Sequence, residues 1–518
     1  MNQRNRLVIN VITNYATFLL YGVANVFLVG YVVRQIGKEA FGLVSLVLSL
    51  TVFVDLFGRG ICQALTKYVA AETGKENSRS ITDYVTSSTV WFIFAGILGG
   101  SIVYVLSFFA GDWFEIPGDQ LHTAKIALQL MALKVIVCFP FSSFQGVLWG
   151  YQRYDLTNLA RSVAVLFRVL GTVICFEFFT AGVIPLVVVS ILSFVVERVI
   201  WTLSSIKVAG GLHFNLNSFS LRALYVLAGF GSLMLIIQIA NLLGYEVVKW
   251  VVGAELSVID VGSYTIIATM VAFVGSLVRS IANVLVPATS RLDSLSQHDA
   301  KVRLAQTATK YSMIVAVGFC VVPVFFLKPL FLYWLGSEYS GRYLDSLVLA
   351  ALVLLIGQLF ISSALCVLQM LTGVGKVKIP AIVTLTWALG GIISVWSYLH
   401  WIYASLFAVV VGITIARVIG SMIHLTYGMY VLKIDKKLFI SKSIVRPVIA
   451  GIFACGVGWL CSIYANFQDW KILVACVLFV ATTYVFMTWL FVFNHRDRNL
   501  GTKLANKAFS KVSIRNAG

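Results

Sequence analysis

Charge is what this chain has least of. Only 12% of its 518 residues are Asp, Glu, Lys or Arg, roughly half of what a soluble domain carries. Hydrophobic residues make up 59% and the mean hydropathy is +0.92, so a soluble globular fold is excluded. Acids are the scarcer sign: 21 against 39 bases, for a net charge of +18. Long loops are missing too. The longest inner connections are 67–83 and 288–308, and the outer ones are shorter. They leave no room for a nucleotide-hydrolysing domain or for a basic domain that would bind nucleic acid. The six histidines are dispersed, with no HxxxH or HExxH spacing for a metal. Gly373-Val374-Gly375-Lys376 is too short for a phosphate-binding loop. The eight cysteines lack CxxC spacing and read as buried thiols without a disulfide framework. No acid pair sits in an outer loop large enough to hold a sugar acceptor, so the chain does not read as an enzyme and calls for no cofactor.

What the chain does have is a succession of apolar runs long enough to cross a bilayer, for which ~20 residues suffice. Fourteen are read, at 7–33, 40–66, 84–110, 121–148, 159–178, 183–208, 225–250, 261–287, 309–329, 344–371, 380–399, 404–432, 444–465 and 471–493. The expected fold is an all-α polytopic membrane protein. When bases at span ends are counted with the adjacent segment, inner segments hold 26 of the 39, outer segments 7, and 6 lie within spans. Basic residues gather on the cytoplasmic side, which places both termini there. The first span is followed by no small-residue cleavage site and reads as an uncleaved helix. Beyond Arg498, residues Leu500, Leu504, Ala508 and Val512 share one helical face flanked by Lys503, Lys507 and Lys511. This is either an interfacial helix on anionic lipid or a solubilising tail.

An internal repeat organises the chain. Shifted by 220 residues, Gly42 meets Gly262, Phe53-Val54 meets Phe273-Val274, Arg59 meets Arg279, and Ile61 meets Ile281. Ser142-Ser143 meets Ser362-Ser363, and Val147-Leu148 meets Val367-Leu368. At 219, Arg198-Val199-Ile200 meets Arg417-Val418-Ile419, and Ala24-Asn25 resembles Ala240-Asn241 after a slip. The expectation is two six-helix lobes related by pseudo-two-fold symmetry, 1–208 and 209–432, with two extra helices and a basic tail over 433–518. An even number of helices per lobe makes the repeats parallel. Pro140, Pro287 and Pro323 lie in or at the ends of spans, where proline kinks a helix.

The six bases inside spans are Arg59, Lys134, Arg168, Arg198, Arg279 and Arg417. Each costs ~2.5–3.5 kcal/mol at a helix centre, and intramembrane charge is functional by default. Arg59 and Arg279, matched in register, suit an anionic cargo, because the guanidinium fork makes paired hydrogen bonds with phosphate. Asp55, one turn before Arg59, is an alternative local partner for it; Arg279 has no acid within a turn. Arg198 and Arg417 are open to cargo contact or to an interhelical ion pair. Arg168 and Lys134 either extend a cationic wall or pair with Glu177 or Glu197. Asn25, Asn241 and Gln238 are amides fit either for sugar hydroxyls or for joining helices. Glu246 pairs with Lys249 or, with Asp55, couples transport to protons or sodium.

The run Gly37-Lys38-Glu39-Ala40-Phe41-Gly42-Leu43-Val44-Ser45-Leu46 leads to Leu56-Phe57-Gly58-Arg59-Gly60 and Thr66-Lys67-Tyr68-Val69-Ala70. It resembles the opening two helices of the bacterial polysaccharide transporter, or O-antigen flippase, family. Leu148-Trp149-Gly150-Tyr151-Gln152-Arg153 and Met370-Leu371-Thr372-Gly373-Val374-Gly375-Lys376 resemble that family's links after the fourth helix of each lobe. The family belongs to the multidrug, oligosaccharidyl-lipid and polysaccharide exporter superfamily. The resemblance implies two lobes in a V, alternating access, and an undecaprenyl-diphosphate-linked oligosaccharide moved outward across a bacterial inner membrane. Membrane lipids and the polysaccharide polymerase machinery would be its other partners. Arg59 and Arg279 lie where the related lipid II flippases also place cavity arginines. The first helix offers Asn14 and Asn25 instead of the charges of that branch, which points away from a peptidoglycan precursor. A cation-coupled multidrug exporter is the competing expectation.

Overall fold

A computed structural model describes residues 3–73, 78–114, 116–210, 216–229, 231, 239, 247–336, 339–401, 405–465, 467, 469–494 and 497–498. Side chains are described there except at 3–12, 14–16, 51–57, 71, 78, 79, 216, 283, 287, 291, 294, 398, 399 and 401. The described residues are helical throughout, with no strand. Helix α1 (Gln3–Thr73) breaks at Gly37, whose φ of 78° only glycine adopts freely. Its two arms carry the first two expected spans. Then come α2 (Ser78–Trp113), α3 (Leu121–Cys138), α4 (Ser142–Gly150), α5 (Tyr154–Phe178) and α6 (Val183–Val208). After them follow α7 (Val247–Glu255), α8 (Val258–Asn283), α9 (Leu285–Ser294), α10 (His298–Leu335) and α11 (Gly341–Gly373). The series ends with α12 (Lys378–Trp401), α13 (Leu406–Val431), α14 (Lys436–Phe439), α15 (Arg446–Tyr464) and α16 (Trp470–Phe491).

Twelve described helices are long and apolar enough to cross a membrane. The second arm of α1 adds one to this number, and the seventh expected span falls largely on residues outside the description. About fourteen spans result. On α2, Phe94, Ile97, Leu98, Ile102, Val105, Phe108 and Phe109 are all exposed, a stripe that water would not tolerate and lipid would. Pro140 sits in a 3-10 turn (Phe139–Phe141) that separates α3 from α4 within one expected span. Pro323 is accommodated inside α10.

Contacts gather the chain into two compact units. One comprises Met1–Met270, Trp334–Tyr339 and Ala388–Ile413; the other comprises Val271–Tyr333, Ser340–Trp387 and Thr414–Gly518. Their boundary cuts through α8 and so differs from the lobe boundaries read in the sequence. Within the second unit, α15 and α16 pack on α10: the Tyr484 hydroxyl donates to the Ile314 carbonyl at 2.8 Å, and Gly451 admits Val317. All eight cysteines are free thiols, four buried and four half-buried.

Two features of the repeat are visible as geometry. In the first unit, Gly42 and Gly262 abut. A Cβ on Gly42 would overlap the carbonyl of Val258; one on Gly262 would stand 2.9 Å from the Gly42 Cα and 3.3 Å from the Lys38 carbonyl oxygen. Lys38 and Val258 are themselves 220 residues apart, so each glycine faces the carbonyl one turn before the other. Such self-complementarity is what a two-fold relation demands of a contact on its axis. The two links that follow α4 and α11 also close alike. Arg153 N–H donates to Leu148 O at 2.8 Å and Gln152 N–H to Trp149 O at 2.9 Å; Lys376 N–H donates to Leu371 O at 2.9 Å and Gly375 N–H to Thr372 O at 3.1 Å. Gln152 (φ 55°) and Gly375 (φ 74°) occupy the left-handed position of this helix-ending motif.

Candidate functional site

A cavity of about 630 Å3 opens in the first unit. Helical spacing explains its lining. Thr17, Phe18 and Tyr21 come from the first arm of α1, and Gly58, Arg59, Cys62 and Gln63 from the second. Positions 142, 145 and 149 of α4 supply Ser, Gln and Trp; Arg161, Ala164, Val165 and Arg168 form one face of α5. Ser193, Phe194, Glu197, Arg198 and Trp201 do the same on α6. Pro140 matters here because the break it imposes turns Phe139 and Ser142 toward the space.

The lining carries four arginines and one glutamate. Arg59 is exposed to the cavity. Arg168 donates from Nη2 to the Asn25 Oδ1 at 2.7 Å, while its Nε is buried without a partner among the described residues. Arg198 lies with its guanidinium carbon 4.1 Å from the Trp201 ring centroid; its Nε and Nη1 are buried and unpartnered among the described residues. Burying such donors is costly unless something accepts from them. Arg161 is half exposed and its Nε stands 3.9 Å from a carboxylate oxygen of the buried Glu197. Lys134 is buried behind the lining, its Nζ 4.1 Å from the Phe194 ring centroid. In a low-dielectric setting this excess of positive charge favours an anion strongly.

The structure therefore brings together Arg59, Arg168, Arg198 and Asn25, with Lys134 adjoining. Arg279, exposed, and Arg417, buried with its guanidinium carbon 6.0 Å from the Trp387 ring centroid, belong to the second unit and do not line this cavity. The pairing expected for the acids is corrected. Glu197 faces Arg161, and Glu177 accepts from the Tyr31 hydroxyl at 2.8 Å, because α5 and the kinked α1 set different faces toward each acid. Asn241, Gln238 and Glu246, the side chains of Asp55 and Asn14, and the tail beyond Arg498 lie outside the described residues. Arg161 is the cation that span counting passed over, since it lies near a span end and was assigned to the inner segment. Its spacing of seven from Arg168, two helical turns on one face, was the available signal.

The sequence profile of the family described as polysaccharide biosynthesis protein matches residues 10–293, more than half of the chain. The chain belongs to this family. It is 22% identical over 519 residues to a Bacillus subtilis (strain 168) protein named "Uncharacterized membrane protein EpsK", covering 98% of this chain and 100% of that one. It is 20% identical over 358 residues to the "Putative O-antigen transporter" of Shigella flexneri, covering 68% and 82%. Among solved structures, an inward-facing multidrug-resistance transporter of the MATE family matches with a TM-score of 0.71 at 14% identity, over 82% of this chain and 98% of that one. The lipid II flippase MurJ in an inward closed conformation matches with 0.68 at 16% identity, over 93% and 98%. These likenesses establish the fold. The chain is thus a multi-pass membrane protein of the polysaccharide biosynthesis family.

Proposed function

We propose that the protein flips a polyprenyl-diphosphate-linked oligosaccharide, of the undecaprenyl type, from the cytoplasmic to the outer face of a bacterial inner membrane. Both termini are cytoplasmic in this reading. The two repeat lobes, 1–208 and 209–432, alternate access around the cargo, and 433–518 stands outside them. The observation that carries the reading is the four-arginine cavity, in which Arg198 and Arg168 keep buried N–H donors without partners among the described residues. A diphosphate is the anion whose several oxygens and high charge match such a set. Its volume suits a head group of a diphosphate with a few sugar rings. Trp149, Trp201, Tyr21, Gln63 and Gln145 offer faces and amides for those rings. Arg279 and Arg417 are the proposed cargo contacts of the second lobe, and Asp55 and Glu246 the proposed coupling carboxylates for protons or sodium. Cationic drugs would meet four like charges here, which speaks against the multidrug alternative.

The test is export of surface glycan in cells that depend on this chain. Arg198→Ala should abolish export while the protein remains in the membrane at its normal level, and Arg198→Lys should restore only part, since an ammonium lacks the fork. Undiminished export by well-expressed Arg198→Ala and Arg161→Ala would overturn the reading.

A further inference from the structure

Glu197 is an anomaly in the cavity. It is the one acid among the described lining residues, and it is buried, with only 8% of its surface accessible. An isolated buried carboxylate is expensive, so it needs cations near it. Yet its single ion contact among the described residues is long, 3.9 Å to Arg161 Nε, and comes from a guanidinium that is itself half exposed. A structural salt bridge would be short and doubly hydrogen-bonded, as Arg153 and Asp155 are at 2.9 and 3.0 Å in the link before α5. Glu197 also precedes Arg198, whose Nε and Nη1 it does not engage. The carboxylate thus sits among cations that it partly neutralises without saturating any of them.

We propose that Glu197 is a tethered competitor for the cargo's anionic group: it shares Arg161 with the empty cavity and is displaced when a diphosphate arrives. The inference rests on the flippase reading above and specifies how that site binds and lets go. Arg59, Arg168 and Arg198 supply attraction; a site of four arginines with no counter-charge would hold a multiply charged anion too firmly to release it. A permanent carboxylate beside Arg161 lowers the affinity, favours exit, and leaves the cluster partly neutralised once the cargo has gone. Every charged group among the described lining residues enters this balance: Arg59 on α1, Arg161 and Arg168 on α5, and Arg198 beside Glu197 on α6, with Lys134 of α3 behind Phe194.

The test is titration of inorganic diphosphate into the purified full chain in detergent, by calorimetry, beside glycan export in cells. Glu197→Gln keeps the shape and removes the charge. It should bind diphosphate about tenfold more tightly, as expected from deleting one negative charge a few ångströms from the anion in a partly desolvated site, while export slows. In an Arg161→Gln background the same change should gain markedly less, because the shared cation is gone. Failure of the unmutated protein to bind diphosphate would overturn the flippase reading and this inference with it. Binding by the unmutated protein, with Glu197→Gln unchanged or weaker, would overturn this inference alone and make Glu197 a residue that merely orients Arg161. Should Glu197→Gln not fold, Glu197→Asp, which draws the carboxylate back by one methylene, makes the same prediction in smaller measure.

Discussion

Replacing Gly42 by alanine adds a single methyl, and its cost can be worked from the contact on the repeat axis. That methyl would overlap the Val258 carbonyl oxygen and stand 2.7 Å from the carbonyl carbon. Both are backbone atoms of a helix, so neither can swing aside, and the helices must part. Non-bonded carbons rest at ~3.5–4.0 Å, and a gap of an ångström forfeits up to half of each contact's attraction. Overpacking of this kind costs ~1–3 kcal/mol. Against this stands the gain of alanine over glycine in a helix, ~1 kcal/mol. The net expectation is a loss of up to about 2 kcal/mol. Gly390 is the control, since a Cβ there meets nothing within 4 Å; Gly390→Ala should gain up to ~1 kcal/mol. Thermal unfolding of the purified chain in detergent, followed by tryptophan fluorescence, should therefore separate the two variants by several degrees, with Gly42→Ala below the parent protein and Gly390→Ala at or above it. A Gly42→Ala protein that melts with the parent, or a Gly390→Ala protein that falls as far, would refute the claim that the axis contact requires glycine.

Three further outcomes are expected. Gly375→Ala should cost ~1–2 kcal/mol purely through its backbone, since its φ is +74° and nothing lies within 4 Å of the added methyl; an unchanged melting temperature would count against the helix-ending motif. Asn25→Asp would face Arg168 at the 2.7 Å contact and cancel one cation, weakening diphosphate binding about tenfold; equal binding would remove Arg168 from the site. Asp497 accepts from Lys310 at 2.6 Å, from Tyr311 at 3.0 Å and from the Asn494 N–H at 2.9 Å. Burial pushes its carboxyl up, but the Lys310 and other hydrogen bonds outweigh burial and hold it below the ordinary value of 3.8. A depressed carboxyl contributes stability above its unfolded pKa and loses it as pH falls through the folded one. The protection factor of the Arg498 amide, which donates to the Asn494 carbonyl, should therefore hold from pH 8 to 5 and fall only below about 4; a fall near neutrality would refute the assignment.

Most of the fold was written in hydropathy, because a lipid-facing helix has to be apolar for some twenty residues. The sixth span, 183–208, coincides with α6 to the residue. The break at Gly37 falls in the gap between the first two expected spans, which Arg34, Lys38 and Glu39 mark with charge; that the chain stays helical right up to it on both sides is what hydropathy does not show. The candidate site was legible in kind but incomplete. Arg59, Arg168 and Arg198 stood out because charge inside an apolar run is rare. Arg161 did not, because near a span end an arginine reads as an ordinary cytoplasmic flank. Glu197 was visible, but whether Arg168 or Lys134 pairs with it stayed open, since sequence spacing fixes which face of α6 it occupies and not which neighbour that face meets.

The repeat duplicates the frame without duplicating the charge, and this narrows where the anion is held. At the offset of 220, Arg161 and Arg168 correspond to Ala381 and Ala388, and at 219 Glu197 corresponds to Ala416 and Trp201 to Gly420. Of the α5 and α6 charges, only the arginine at 198 is matched, by Arg417. Even there an indole is kept by a different route. Arg198 lies over Trp201 of its own helix, whereas Arg417 lies over Trp387 of α12, whose ring fills the space beside Gly420. The second half lacks these three charged side chains yet retains an arginine–indole pair, and that difference separates what the halves share from what only the first one has. The arginine of the pair is the proposed cargo contact that both halves share; the surplus cations Arg161 and Arg168 and the Glu197 carboxylate are what the first half alone brings to its cargo. Moving the surplus, with Ala381→Arg and Ala388→Arg in a chain lacking Arg161 and Arg168, should therefore fail to restore glycan export. Restored export would mean that the site needs a number of charges and not the cavity that holds them.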